Sequence, residues 1–448
     1  MERKKRKVLF YLFIIAFVLG SIYLVVITQG LTIDWKHATI TKTGAIYIRS
    51  TPSNPKIYID NKEYTSEDGI ITKGTLIKNL VPGTYEVRVE KDGFSSWTKH
   101  ITVEKGVVSS ESFVRLWKNS PKTEEVASTS IRDFWVTGAG VITQDESGKI
   151  SIDSTTLGGI EVIGHSADTG TIITKDKEGN FFFIDAANPK TATNIREMFN
   201  SLKQRELRLP GVVNIVSVFP HPFSPYKTIV VTKTSVYIID FKKIALEKIL
   251  TFENIEKTFL NDTNVFVSDT EGNIATVNLL IKNDPQIVYT TSTEIHAPVL
   301  NNTYLLFLGE HNTLFAYDRA TKNLVSLAKE VKSFSLSPEE KRVAMLFENG
   351  NLAIAYIADY SGNSLVEKGT VIPLTPNQKI GEKIESIEWL SAFPDHLALA
   401  TKNTLWTIET DQRNPQNTLL LFKDVKKHVI QDDFYVLDIR GALKKITY

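Results

Sequence analysis

From residue 131 to residue 448 the chain repeats one short pattern: two apolar runs, a polar turn and a third apolar run. The polar turns lie at residues 145–149, 176–180, 269–273, 310–313, 348–351, 401–404 and 438–441. The wide gap between the second and third turns holds one more apolar pair, residues 227–233 and 235–240. Alternating apolar runs indicate strands, and four-strand repeats with a period of roughly 30 to 50 residues are typical of a β-propeller.

With that additional pair, the repeat contains eight hairpins. Seven and eight blades are both compatible with this count, because the first and last hairpins can share one blade that closes the ring. Residues 333–344 resemble the blades of WD40-like and periplasmic Tol-type propellers, in which a Ser-Pro-acidic turn precedes a buried strand. We therefore predict an all-β fold whose largest domain, residues 131–448, is a seven- or eight-bladed β-propeller.

Residues 44–117 show a second β pattern, with five short runs that alternate between apolar and polar side chains. Such alternation indicates half-buried antiparallel strands. Turn residues separate the runs, including Pro-rich residues 51–55, Pro82-Gly83 and Asp92-Gly93. The segment therefore predicts a small β-sandwich.

The same segment resembles the PEGA domain family. The resemblance lies in Ser-Thr-Pro at residues 50–52, Ile-Tyr-Ile-Asp at 57–60, Pro-Gly-Thr-Tyr at 82–85 and Lys-Asp-Gly-Phe at 91–94. The chain departs from the family pattern in two loops, at Asn54-Pro55 and at residues 74–76. The resemblance implies a non-catalytic, surface-exposed β module.

Two further segments interrupt the β pattern. Residues 118–130 are polar and lack aromatic side chains, so we predict a linker between the two domains. Residues 193–207 place apolar side chains at helical spacing, which predicts an amphipathic helix inserted between blades. That helix either packs on a face or edge of the propeller, or binds a partner or the other domain.

The N-terminus predicts a membrane anchor. Residues 1–7 form a basic tail with five basic residues and one acidic residue, and no charged residue occurs from Val8 to Ile33. At about 1.5 Å per helical residue, this apolar run is long enough for a transmembrane helix, which we predict over residues 8–30. The basic tail then lies in the cytoplasm and the bulk of the chain outside. A cleaved signal peptide is the alternative, although its apolar core is normally shorter.

Composition limits the classes of partner and chemistry. The 448 residues carry 52 basic and 51 acidic side chains, a balance that argues against nucleic acid as a partner. The chain has no cysteine, which removes disulfides and thiolate chemistry. An extracytoplasmic chain without disulfides favours a bacterial or archaeal owner.

No motif in the sequence indicates catalysis, a bound cofactor or a metal. The chain lacks His-Glu-x-x-His, Gly-x-Ser-x-Gly and a phosphate-binding loop, and its acidic turns do not match a calcium loop. His165, His221 and His296 precede or enter successive repeats, so they either lie at solvated strand edges or converge near an axial channel. Trp97 is the tryptophan that we expect to be most exposed. These four residues are the candidate ligand contacts.

These observations predict a membrane-anchored, extracytoplasmic scaffold of the cell envelope that is not an enzyme. Its propeller serves as a platform for an envelope protein or a cell-wall or surface glycan. The alternative is an extracytoplasmic hydrolase or lyase that uses the central funnel of the propeller, because that fold also hosts enzymes. A purely structural envelope protein is a third interpretation.

Overall fold

A computed structural model describes residues 3–448 except 29, 35–38, 66–73, 128–129, 154, 209–210, 212, 262, 272, 281–285, 291–295, 301–302 and 363–364. The chain begins with helix α1 (Arg3–Thr28), followed by an antiparallel ribbon of β1 (Leu31–Asp34) and β2 (Thr39–Lys42). Within the described part of the chain, no helix combines the length and the apolar character needed to cross a membrane. The transmembrane helix predicted over residues 8–30 is therefore not confirmed.

The next seven strands form the predicted β-sandwich. They are β3 (Gly44–Thr51), β4 (Lys56–Ile59), β5 (Lys62–Tyr64), β6 (Thr75–Leu80), β7 (Gly83–Glu90), β8 (Trp97–Val103) and β9 (Val108–Arg115). One sheet has the order β6-β3-β9 and the other β5-β4-β7-β8. Apolar side chains at alternate positions of both sheets, such as Ile46 and Val87, form one buried core.

Strand β10 (Lys122–Ala127) follows the sandwich and lies within the segment predicted as a linker. It is the outermost strand of a sheet built from the C-terminal end of the chain, and most of its side chains are exposed. Exposure explains why its sequence is polar. The linker prediction over residues 118–130 is therefore wrong for the residues of β10.

The described part of residues 131–448 forms the predicted propeller. Blades 1 to 4 each contain four successive strands. These are β11 (Ile131–Thr137), β12 (Gly140–Asp145), β13 (Ile150–Ile152) and β14 (Thr155–Thr156); β15 (Glu161–His165), β16 (Thr171–Lys175), β17 (Phe181–Asp185) and β18 (Ala192–Asn194); β19 (Ile215–Pro220), β20 (Lys227–Thr232), β21 (Ser235–Asp240) and β22 (Ala245–Thr251); and β23 (Ile255–Asn261), β24 (Asn264–Asp269), β25 (Asn273–Asn278) and β26 (Gln286–Thr290).

Blades 5 to 7 repeat this order, apart from a short ribbon of β34 (Tyr360–Ser361) and β35 (Leu365–Val366) that is inserted in blade 6 before its last strand. Their strands are β27 (His296–Leu300), β28 (Tyr304–Leu308), β29 (Leu314–Asp318) and β30 (Leu324–Ala328); β31 (Val331–Leu336), β32 (Arg342–Phe347), β33 (Leu352–Tyr356), β34 (Tyr360–Ser361), β35 (Leu365–Val366) and β36 (Val371–Leu374); and β37 (Ile384–Trp389), β38 (His396–Thr401), β39 (Thr404–Glu409) and β40 (Thr418–Lys423). Blade 5 also contains one 3₁₀ turn, Glu310–Asn312.

Blade 8 joins the two ends of the propeller. It contains β41 (Val425–Ile430), β42 (Phe434–Asp438), β43 (Leu443–Thr447) and, outermost, β10. Glu124 and Glu125 of β10 face Lys445 and Lys444 of β43, which places opposite charges across the strand pair. The described propeller therefore has eight blades, and its last blade is completed by a strand that precedes the first.

Apolar clusters connect each blade to the next. One residue from each side of the eight contacts illustrates them: Ile152 and Ile172, Ile173 and Val230, Val231 and Val267, Phe266 and Phe307, Leu306 and Val343, Ile354 and Leu399, Ala400 and Val436, and Leu443 and Phe134. The last pair joins blade 8 to blade 1. The buried clusters therefore run around a complete ring.

Helix α2 (Ile195–Leu207) confirms the helix predicted near 193–207. Asn194 caps it by accepting a hydrogen bond from the N–H of Glu197. Ile195, Phe199 and Leu202 are buried in the cluster that joins blades 2 and 3. The helix therefore packs at the edge between these blades, which is the simpler of its two interpretations.

The acidic hairpin turns have the geometry expected for turns. The Asp145 carboxylate accepts hydrogen bonds from the N–H groups of Ser147 and Lys149, and Asp438 does the same for Arg440 and Ala442. Gly148 has a φ of 86°, a conformation that glycine adopts without strain. These carboxylates organise tight corners between the second and third strands of their blades.

Candidate functional site

The sandwich is docked on blade 7 through a group of buried charges. Lys99 on β8 donates hydrogen bonds to the Glu409 carboxylate and, at 2.8 Å, to the Arg413 carbonyl. The indole N–H of Trp97 donates to the other oxygen of Glu409 at 2.9 Å. The side chain of Lys99 is 0% exposed and that of Glu409 is 6% exposed, so the ion pair is closed to solvent.

A second ion pair lies beside the first. The Arg413 guanidinium donates to both oxygens of Glu111 on β9, one of them at 2.8 Å, and its Nε donates to Asp411 at 3.0 Å. Burial raises the pKa of Glu111 to about 7, against the opposing effect of Arg413. Burial acts to raise the pKa of Asp411. The hydrogen bond from Arg413 and the positive charge of Lys99 outweigh burial, so the pKa is lowered.

The loop between β39 and β40 also covers an edge of the sandwich. Strand β8 is the last strand of its sheet, so its outer backbone groups have no neighbouring strand. The N–H of His100 donates to the Asn414 carbonyl at 2.9 Å, and the Asn417 amide exchanges hydrogen bonds with the backbone of Thr98. The loop therefore forms hydrogen bonds with backbone groups of an edge strand that could otherwise pair with a strand of another chain.

A cleft lies where the sandwich meets blades 6 and 7, with about 50 Å³ of space for water. Its lining includes Glu111, Phe113 and Asp411, together with Tyr360 and Val366 of the blade 6 ribbon. The Arg342 guanidinium lies over the rings of Tyr360 and Trp389, at 4.0 and 4.6 Å from their centroids. Because Arg342 also donates to Glu339 and the Pro394 carbonyl, its charge links blades 6 and 7.

Trp97 is 4% exposed, so the prediction that it is the most exposed tryptophan is wrong. The strand alternation of β8 turns its ring inward with Ile101 and Val103, into the core of the sandwich. Its indole N–H reaches Glu409 in the other domain. Trp97 therefore belongs to the contact between domains.

The three candidate histidines lie in separate surroundings. His165 ends β15, the first strand of blade 2, and burial lowers its pKa, with Lys427 acting in the same direction. His221 directly follows β19 in blade 3, is 4% exposed, and accepts a hydrogen bond from the N–H of Phe223. Burial lowers its pKa to about 4. His296 begins β27 in blade 5 and is exposed.

Side chains on the first strands of the blades form polar contacts between neighbouring blades. His428 Nε2 lies 2.9 Å from the Glu388 carboxylate, and Lys427 donates to the Phe134 carbonyl at 2.9 Å. Thr258 donates to Ser217 at 2.7 Å. These groups join blades 7 and 8, 8 and 1, and 3 and 4. Among the described residues, no group of three or more His, Asp or Glu side chains is arranged to hold a metal ion.

Sequence reasoning missed the charged residues that join the two domains. The burial of Lys99 was predictable, because it alternates along β8 on the same face as the apolar residues Trp97, Ile101 and Val103. A lysine on the inward face of a strand requires a partner. Nothing in the local sequence indicates that the partner is Glu409, because 310 residues separate the two.

Comparisons with protein families agree with these two domains. The PEGA domain model matches residues 43–113, and the NUP159/214 beta propeller model matches residues 232–432. The chain is thus similar to the PEGA family over the sandwich, as predicted, and to the NUP159/214 beta propeller family over part of the ring. No curated protein matches the chain.

Solved structures similar to the chain include BamB from Moraxella catarrhalis, with 13% identity and a TM-score of 0.44 over 73% of this chain and 98% of that one. Sqt1 from Saccharomyces cerevisiae has 11% identity and a TM-score of 0.44 over 72% of this chain and 97% of that one. Hsv2 from Kluyveromyces lactis has 13% identity and a TM-score of 0.38, covering 64% and 98%. The propeller architecture described above rests on strand order and blade packing.

Proposed function

We propose that this chain is a scaffold whose sandwich and propeller together present one binding surface to a protein partner. The docking of the two domains carries the proposal. Buried ion pairs from Lys99 and Arg413 fix the sandwich on blade 7, so side chains of both domains keep a constant relative position. A rigid surface of this kind favours binding because little conformational entropy is lost when a partner docks.

One exposed apolar side chain lies in the lining of the cleft, and a second belongs to a chain neighbour of a lining residue. Phe113 of the sandwich is 47% exposed and Leu365 of the blade 6 ribbon is 73% exposed. Their neighbours in the lining of the cleft, Val114 and Val366, are buried. Exposed apolar groups beside a polar cleft are typical of protein-binding sites, so we place the partner's contact here.

The location of the scaffold is a separate part of the proposal. The uncharged run from Val8 to Ile33, preceded by basic residues, supports attachment to a bacterial cell membrane with both domains on the outer side. The partner is then an envelope protein. Protease treatment of intact cells tests this placement: we expect digestion of the sandwich and propeller, whereas protection until the cells are opened would contradict it.

Crosslinking in the host cell tests the partner's contact. We expect the full chain to capture a defined protein, and Leu365→Ser to reduce the yield about tenfold. Val325→Ser is the matched control, because Val325 is a 54% exposed apolar residue on the outermost strand of blade 5. Equal capture by the wild type and both variants would place the contact elsewhere and refute the proposed surface.

The charged side chains described on the first strands of blades 7, 8 and 1 do not favour the hydrolase or lyase alternative for the central funnel. The described charged groups Lys427, Asp133, His428 and Glu388 are engaged in contacts between neighbouring blades. This arrangement explains their presence through the assembly of the ring.

A further inference from the structure

A second cavity, of about 330 Å³, lies between the sandwich and blade 7. Its size is at the lower end of the range of small-molecule sites. Hydrogen-bonding side chains and two indoles share its lining, which includes Trp97, Arg115, Trp117, His396, Thr407 and Asn417. Such a lining suits a ligand with several hydroxyl or amide groups.

Arg115 is the cation of this cavity. Its guanidinium lies 3.7 Å from the ring centroid of Phe393 and 5.1 Å from that of Trp117. Among the described residues, no carboxylate forms an ion pair with it, and its buried Nε has no acceptor. Arg413, at the same domain contact, is paired with Glu111 and Asp411. Arg115 therefore has the capacity to bind an anion that the described side chains do not supply.

Two other residues of the lining support this assignment. Thr407 is 1% exposed, and its hydroxyl has no hydrogen-bond partner among the described groups. A hydroxyl of a ligand in the cavity would supply the hydrogen-bond partner that this side chain lacks among the described groups. His396 is neutral, because burial lowers its pKa to about 3. The positive charge of the lining thus comes from Arg115.

We propose that this cavity binds a small hydroxylated acid of the sugar-acid class, whose carboxylate pairs with Arg115 and whose hydroxyl groups bond to Thr407 and the neighbouring polar side chains. The planar guanidinium fits a carboxylate through two parallel hydrogen bonds. The amide and hydroxyl groups of the lining can donate to, and accept from, sugar hydroxyls. This cavity lies beside the cleft of the proposed partner surface, and Trp97 and His396 line both.

Binding to the full chain is measured by calorimetry and by ligand-observed NMR with three probes. D-glucuronate carries both features, glucose lacks the charge, and acetate lacks the hydroxyl groups. We expect glucuronate to bind about tenfold or more tightly than either of the others. Absence of glucuronate binding at about 1 mM, or equal binding of glucuronate and glucose, would overturn the proposal.

Variants then assign the residues. Arg115→Met should weaken glucuronate binding about tenfold or more, and Thr407→Val about threefold. Arg88→Met is the matched control, because Arg88 also lies over an aromatic ring of the sandwich, Tyr58, but pairs with Glu90 and does not line the cavity. Unchanged binding in both cavity variants would overturn the assignment. Because Thr407→Val keeps all charges, it provides a test even if Arg115→Met fails to fold.

Discussion

The contacts between neighbouring blades are made mainly by apolar side chains, whereas buried charges dominate the contact between the sandwich and blade 7. Blades meet through buried apolar clusters such as that of Ile354 and Leu399. The sandwich meets blade 7 through Lys99, Glu409 and Arg413, with hydrogen bonds that tie each charge to one position. Apolar packing tolerates small displacements, whereas a buried charge does not. The apolar surface buried between blades therefore stabilises the ring, and specific polar pairs fix the orientation of the sandwich.

Removing one partner of the buried ion pair should have the largest effect. Glu409→Ala leaves Lys99 with Asp411 at 4.0 Å as its remaining carboxylate, and it leaves the Trp97 indole N–H without its acceptor. We expect a loss of about 3–5 kcal/mol in the free energy of unfolding, measured with urea. The double variant Lys99→Met with Glu409→Leu should recover part of this loss. A single-variant loss below about 1 kcal/mol would show that the pair is not desolvated.

A cavity between blades should lower the free energy of unfolding slightly less than Glu409→Ala does. This loss should not depend on pH or salt. Ile354→Ala removes a fully buried side chain from the cluster that joins blades 6 and 7. We expect a loss of about 2–4 kcal/mol that is equal at low and high salt. Urea unfolding at both salt concentrations provides the measurement. A salt-dependent loss would contradict the distinction between the two kinds of contact.

The domain contact should also respond to pH through Glu111. Its pKa in the folded chain is raised from 4.5 to about 7, mainly by burial, so the folded state binds more protons than the unfolded state between these values. Stability from this group is present below about pH 4.5 and is lost as the pH rises through about 7. We expect a decrease of about 1–3 kcal/mol, which Glu111→Gln should abolish. An identical pH profile for the wild type and the variant would exclude Glu111 as the source.

The smallest effect should come from a polar contact within the ring. Thr258→Val removes the hydroxyl that donates to Ser217 between blades 3 and 4. One neutral hydrogen bond contributes about 1 kcal/mol, so we expect a loss of that size in urea unfolding. Ser217→Ala with Thr258→Val should be additive with Ile354→Ala, because the sites lie in different blades. A loss above about 3 kcal/mol would mean that this one hydrogen bond contributes as much as a buried apolar side chain between blades.

Local patterns made much of the fold predictable. The eight hairpins counted from the sequence are the central hairpins of eight blades, and the alternating runs of residues 44–117 form the sandwich. Helix α2 followed from its apolar spacing. The exposed strand β10 could not be recognised, because a strand with both faces in solvent carries no alternation and resembles a linker.

The residues of the candidate site were harder to predict. Ser95 and Ser96 resemble a loop and favour exposure of Trp97, but its ring lies in the core of the sandwich and its N–H meets Glu409 of blade 7. The position of a histidine in the repeat does not predict its surroundings, since His221 accepts a hydrogen bond from the N–H of Phe223 in its own loop. Side-chain burial at a domain contact depends on surfaces that sequence periodicity does not describe.

The sequence by itself determined the β character, the number of hairpins and the division into two domains, because each of these depends on periodicity within a few residues. Only the tertiary structure decided that β10 completes blade 8, that Lys99 pairs with Glu409, and that Arg115 borders a cavity without a carboxylate partner among the described residues. These features depend on groups that are hundreds of residues apart in the chain. The contribution of each feature to stability depends on desolvation, and these groups are desolvated only in the folded structure.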